Sequence, residues 1–139
     1  HPEGKAALAA MTAACARANI SPAQIDYVNA HGTATPQNDA TETAAINRWA
    51  DASAKKLAVS STKAGIGHLL GGAGAVEAVV CLMALRGQWL PPQTGNGTTD
   101  PACRFQIVRE PADVKIETAL SNSFGFGGAN ATLIFRRWS

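Results

Sequence analysis

Val59-Ser60-Ser61-Thr62-Lys63-Ala64-Gly65-Ile66-Gly67-His68, running on from Leu69 to Leu85, reads as a buried strand, a polar turn and a long apolar helix. The turn carries a lysine and a histidine five residues apart, with Gly71, Gly72 and Gly74 following. A second histidine stands 37 residues earlier, in Asn29-Ala30-His31-Gly32-Thr33-Ala34-Thr35. A third signal, Ser123-Phe124-Gly125-Phe126-Gly127-Gly128, lies near the end. Strand, turn and helix in succession are the repeating unit of a parallel sheet covered by helices. The three stretches are therefore expected to meet in space.

The helix after His68 is apolar almost all round, and Glu77 is its only charge before Arg86. Crossing a bilayer takes about 20 apolar residues without charges. Glu77 sits in the middle of this run, and the glycines weaken an isolated helix. The segment is read as a helix buried between layers. Glu77 is then the partner of a buried cation, because an unpaired buried carboxylate is costly; the other reading is a solvent-facing residue on an incompletely buried helix.

On the N-terminal side, Gly4 to Asn19 is an alanine-rich helix, and Ser21-Pro22 starts a short turn to Ile25. Asp26 to Ala30 is a short strand ending at His31-Gly32. Thr33 to Asn38 reads as a polar loop. Asp39 then caps a helix to about Ala50, with Glu42 completing a capping-box pattern. The second strand is Leu57 to Ser61. On the C-terminal side, Leu90 to Cys103 reads as a long loop and Phe105 to Val108 as a strand. Glu117 to Asn122 and Ala131 to Phe135 form an antiparallel pair around the glycine-rich turn. The fold class is α/β, with parallel strands between helices and antiparallel final strands.

The chain has 139 residues, 46% apolar and 16% charged, with a net charge of +2. That is enough for one domain with a core, and the weak positive balance gives no electrostatic case for nucleic acid. Three cysteines without paired spacing argue against a disulfide framework or a zinc site. Cys15, Cys81 and Cys103 are read as packing or inert thiols. No secretory signal opens the chain, so a cytoplasmic location is expected.

Sites in open α/β sheets form beyond the carboxyl ends of strands. That rule puts His31, Lys63 and His68 on one rim. Two histidines there are able to donate to a single oxygen and stabilise an enolate or oxyanion, with Lys63 holding them in one orientation. The Gly125, Gly127 and Gly128 turn offers free N–H groups, and Phe126 is placed to swing as a gate. Each feature alone also has a plainer reading: a satisfied loop histidine, a solvated lysine, a tight bend. No phosphate loop is present, since Gly65-Ile66-Gly67-His68 lacks the lysine–serine ending.

Tyr27–Pro36 (YVNAHGTATP), Val59–Gly74 (VSSTKAGIGHLLGGAG) and Asn122–Asn130 (NSFGFGGAN) together resemble the elongating β-ketoacyl-acyl-carrier-protein synthases, condensing enzymes of the thiolase fold. The fit is nearer the free-standing fatty-acid enzymes than the modular polyketide ones. The resemblance implies that residues 1–139 are the C-terminal half of a thiolase-like fold. It implies a decarboxylative Claisen condensation of an acyl thioester with malonyl-acyl carrier protein. His31 and His68 would be the catalytic histidines, Lys63 the organising lysine and Glu77 its support. Thr33 and Thr35 would lie along the pantetheine arm. Phe126 would be the gating phenylalanine, beside Phe124 and the loop glycines Gly125, Gly127 and Gly128. No metal or organic cofactor is implied, because phosphopantetheine arrives on the carrier protein. The implied partners are acyl carrier protein and a second synthase subunit in a homodimer or heterodimer, with neither nucleic acid nor membrane. The family's nucleophilic cysteine belongs to the N-terminal half. The chain is expected to lack that half, and so to be inactive alone. The alternatives are a non-catalytic partner subunit of the chain-length-factor kind, a polyketide ketosynthase fragment, or a stable structural fragment that dimerises through its apolar faces.

Overall fold

The computed structural model describes residues 4–95 and 97–138, with the side chain of Phe126 outside the described set. Three parallel strands form the centre of the sheet: β1 (Tyr27–Asn29), β2 (Ala58–Ser60) and β6 (Thr118–Phe124). β4 (Gln106–Ile107) adds a parallel edge beside β2. β7 (Asn130–Arg136) closes the other side antiparallel to β6, from Thr118↔Arg136 to Phe124↔Asn130. The order is β4-β2-β1-β6-β7. Mixed, mostly parallel strands with an antiparallel final pair match the expected class.

Alternation along each strand builds two cores. Val28, Val59 and Leu120 face α1 (Lys5–Ala18) and α2 (Pro36–Ala50), meeting Ala7, Met11, Ala45, Ile46 and Trp49. Tyr27, Ala58 and Ala119 face α4 (Ala73–Gly87), meeting Cys81, Ala84 and Leu85. The period of two along the strands and of about 3.6 along the helices makes this split automatic.

Three expectations are corrected. α2 starts at Pro36, with Thr35 as its N-cap residue. Proline is pre-organised for the first helical position, so Asp39 lies inside the first turn, where its N–H donates to the Thr35 carbonyl at 2.9 Å. The loop from Leu90 is preceded by β3 (Trp89–Leu90), which pairs antiparallel with β5 (Ala112–Asp113); both pieces are too short to show periodicity. Finally, α4 is not buried all round.

Leu70–Gly87 is long and apolar enough to cross a membrane by length and composition. Its inner face, Ala73, Glu77, Cys81, Ala84 and Leu85, packs on the sheet. Its outer face is open: Val79 is 53% and Met83 56% exposed, and Ile66, Leu69 and Leu70 continue the patch. One sheet face covers one side of a helix, and no second layer lies over this one among the described residues.

Candidate active site

The parallel register sets Asn29 beside Ser60 and Ser121. The chain thus leaves the sheet at one edge in three places, carrying His31, Lys63 and Phe124. Lys63 opens α3 (Lys63–Ile66), a single turn that ends at Gly67 and delivers His68. The His31 and His68 rings stand edge to face, with centroids 5.8 Å apart. Phe124 packs on the other side of His31 at 5.5 Å, tilted by 53°. His31, His68 and Phe124 line a cavity of about 600 Å³ together with Thr33, Thr35, Gly125 and Gly128. The Thr33 and Thr35 hydroxyls lie 3.0 Å apart on its wall.

Lys63 and Glu77 form a buried ion pair behind the histidines. This is the cation–carboxylate partnership expected from the sequence. Helical spacing brings Glu77 to the inner face of α4, where no solvent competes for the lysine.

The imidazoles differ in setting. His31 is buried, and desolvation, with Lys63 and His68 adding positive charge nearby, holds its pKa down to about 4. It is therefore neutral at pH 7. Its Nδ1 is buried without a hydrogen-bond partner among the described residues. A buried orphan N–H is rarer than an orphan acceptor, which favours the proton on Nε2. His68 is exposed, and its Nδ1 accepts the Leu70 N–H at 3.1 Å. An accepting Nδ1 puts that proton on Nε2 too. Two imidazoles whose Nε2 atoms are left free to donate into one cavity are suited to bind a single developing oxyanion.

The turn that carries His31 is shaped by Gly32, at φ +43°. A Cβ there would lie 2.4 Å from the Ser61 Cβ, so only glycine fits. Its backbone is gripped by Glu42, a residue with no assigned site role in the sequence reading. Glu42 Oε1 accepts the His31 N–H and Oε2 the Gly32 N–H, both at 2.9 Å. Burial raises the Glu42 pKa, and these bonds with those of Asn122 and Asn38 oppose the rise. The capping-box reading of Glu42 is thereby replaced. The available signal was periodicity: Glu42, Ala45, Ile46 and Trp49 share one face of α2, so Glu42 lies on the apolar stripe.

In the glycine-rich turn, Gly125 does not supply a free N–H. It donates to the Ala129 carbonyl at 2.7 Å, closing the end of the hairpin. Gly127 and Gly128 have φ of +74° and +81°. The gating side chain of Phe126 lies outside the described residues. None of the cysteines lines the cavity of the histidines. Cys15 and Cys81 are buried, and burial raises the thiol pKa of both, to about 12 at Cys81. Cys103 is half-buried, also raised, and lines a neighbouring cavity of about 380 Å³ that shares Thr33 and His68 with the first.

Comparison with known proteins identifies the family. Residues 1–96 match the family described as beta-ketoacyl synthase, C-terminal domain. The chain is 44% identical over 138 residues to a 3-oxoacyl-[acyl-carrier-protein] synthase 2 of Synechocystis, covering 99% of this chain and 33% of the relative. It superposes with a TM-score of 0.94 and 31% identity on a chain of the solved complex of a type II polyketide acyl-carrier protein with its ketosynthase bound to the hexaketide, covering 100% of this chain and 34% of that one. A ketosynthase solved with its chain length factor from Xenorhabdus doucetiae gives 0.84 at 42% identity, covering 96% of this chain and 34% of that one. The chain spans about a third of the length of the curated relatives it matches. The matched family, the 44% identity over 138 of the 139 residues and the thiolase-like superposition agree: the chain belongs to the β-ketoacyl synthases and carries their C-terminal domain.

Proposed function

We propose that this chain supplies the decarboxylating and oxyanion-binding part of a decarboxylative Claisen condensation in fatty-acid synthesis. The observation that carries the reading is the pair of edge-to-face imidazoles on one cavity, with a buried Lys63–Glu77 pair behind them. A malonyl thioester on a carrier protein enters past Thr33 and Thr35, whose hydroxyls suit the amide-rich pantetheine arm. The bond to the carboxylate breaks and carbon dioxide leaves. The electron pair delocalises onto the thioester oxygen, which the His31 and His68 Nε2–H groups hold. The carbanion then attacks an acyl thioester carried on a cysteine; a C–C bond forms, the C–S bond breaks, and the thiolate is restored.

Cys15, Cys81 and Cys103 do not fit the acceptor role: burial raises all three thiols, and none lines the cavity shared by His31 and Phe124. In this reading the acceptor comes from the other two-thirds of a synthase, whose surface also covers the open face of α4. The whole acts in the cytoplasm as a homodimer or heterodimer with acyl carrier protein as substrate donor and no other cofactor. The 139 residues alone then do not condense.

The test is to exchange this chain for the matching third of the Synechocystis relative and assay 3-oxoacyl product from acyl- and malonyl-carrier protein. The expected result is product from the chimera and none above background from the chain alone. Turnover by the chain alone would overturn the division of labour. A folded chimera that releases no product would favour the non-catalytic partner-subunit role.

A further inference from the structure

We infer that Asn122 on β6 and Thr132 on β7 are positioning residues that fix the His31 turn through the Glu42 carboxylate. The proposal deepens the reading of His31 as a reacting group and rests on it. The antiparallel register puts Asn122 directly opposite Thr132, so their side chains share one face of the sheet. The Thr132 hydroxyl donates to Asn122 Oδ1 at 2.9 Å. With that oxygen engaged, the amide nitrogen turns the other way. Asn122 Nδ2 reaches Glu42 Oε1 at 3.3 Å and Met11 Sδ at 3.5 Å. The same Oε1 accepts the His31 N–H, and Oε2 the Gly32 N–H. The relay thus runs from the hairpin that bears the glycine-rich turn, across two strands and a helix, to the backbone of His31.

The direction of the amide decides what the relay does. Asn122 and Glu42 are both buried. A reversed amide would set its oxygen against Glu42 Oε1, which already accepts the His31 N–H, and would weaken the hold of Glu42 on the turn. Thr132 is half-buried on an edge strand and touches none of the reacting groups. Its part in the site is to choose the orientation of Asn122.

The test compares Thr132→Val with Thr132→Ser in the full 139-residue chain, reading amide hydrogen exchange by NMR. Valine keeps the shape and loses the donor; serine keeps the donor. We expect the His31 and Gly32 amides to exchange about tenfold faster in Thr132→Val and at the parental rate in Thr132→Ser. The β7 amides serve as the control for a purely structural role, which would speed exchange around Thr132 and leave His31 and Gly32 unchanged. That pattern, or equal acceleration in both variants, would overturn the relay. In the chimera, Thr132→Val is further expected to lower the decarboxylation kcat with KM unchanged. The exchange result stands apart from the catalytic reading: if His31→Ala leaves decarboxylation intact, the reading of the site fails whatever the amides show.

Discussion

In the chimera, His31→Ala is expected to slow decarboxylation of malonyl-carrier protein by about 100- to 10,000-fold, the range for loss of one oriented proton or hydrogen-bond donor. The assay is carbon dioxide release from labelled malonyl thioester. In the proposed reading the arm is held by Thr33, Thr35 and the cavity wall, which the substitution leaves in place, so KM should move little. His68→Ala should give a loss of the same order. The double variant should be little worse than either single one, because two donors to one oxygen act as a unit. His68 is exposed, so its removal should leave the thermal midpoint in place, separating catalysis from folding. A double variant as slow as the product of the two single losses would mean that the imidazoles serve different atoms.

Glu77→Ala is expected to cost about 3–5 kcal/mol of stability, because it strands the Lys63 ammonium in a buried site. Both partners are almost without solvent contact, so water is poorly placed to compensate. Urea denaturation reads the loss as a lower midpoint at an unchanged slope. Replacing both partners, Lys63→Met with Glu77→Leu, should recover most of that stability, since a buried pair swapped for apolar groups of similar size is often neutral. The same double variant should still be inactive in the chimera, because the charge beside His31 would be gone. Stability restored with activity also restored would remove Lys63 and Glu77 from the site.

The parallel part of the fold was legible because each strand ends in a residue that has no place in a strand. His31-Gly32 and Lys63 mark the carboxyl ends of β1 and β2, and the β6–β7 pairing follows from the turn between them. β3 and β5 were not legible, since two-residue pairings carry no period. The helix after His68 misled for a different reason. Apolar residues on every side predict burial on every side, yet sequence does not say which chain provides the cover; here the sheet takes the Glu77 face and leaves Val79 and Met83 outside. Of the site, the histidines, lysine and Glu77 showed through their spacing. Glu42 and Asn122 did not, because their work is to bind backbone and each other. A carboxylate on the apolar stripe of α2 and an asparagine in a buried strand were the only traces they left.

Oxyanion binding here depends on both imidazoles presenting Nε2–H donors to one cavity. Nitrogen-15 NMR titration of His31 and His68 in this chain tests it most directly. The expected result is an Nε2–H tautomer for His31 at pH 7, an Nε2–H tautomer for His68 in its neutral form, and a His31 midpoint near pH 4. A histidine whose folded pKa lies below its unfolded value of about 6.5 binds fewer protons folded than unfolded. Its share of stability is therefore full above about pH 6.5 and is lost as pH falls towards about 4, a total of about 3 kcal/mol. A His31 midpoint near 6.5, or an Nδ1–H tautomer at either histidine, would rule out the paired Nε2–H donors.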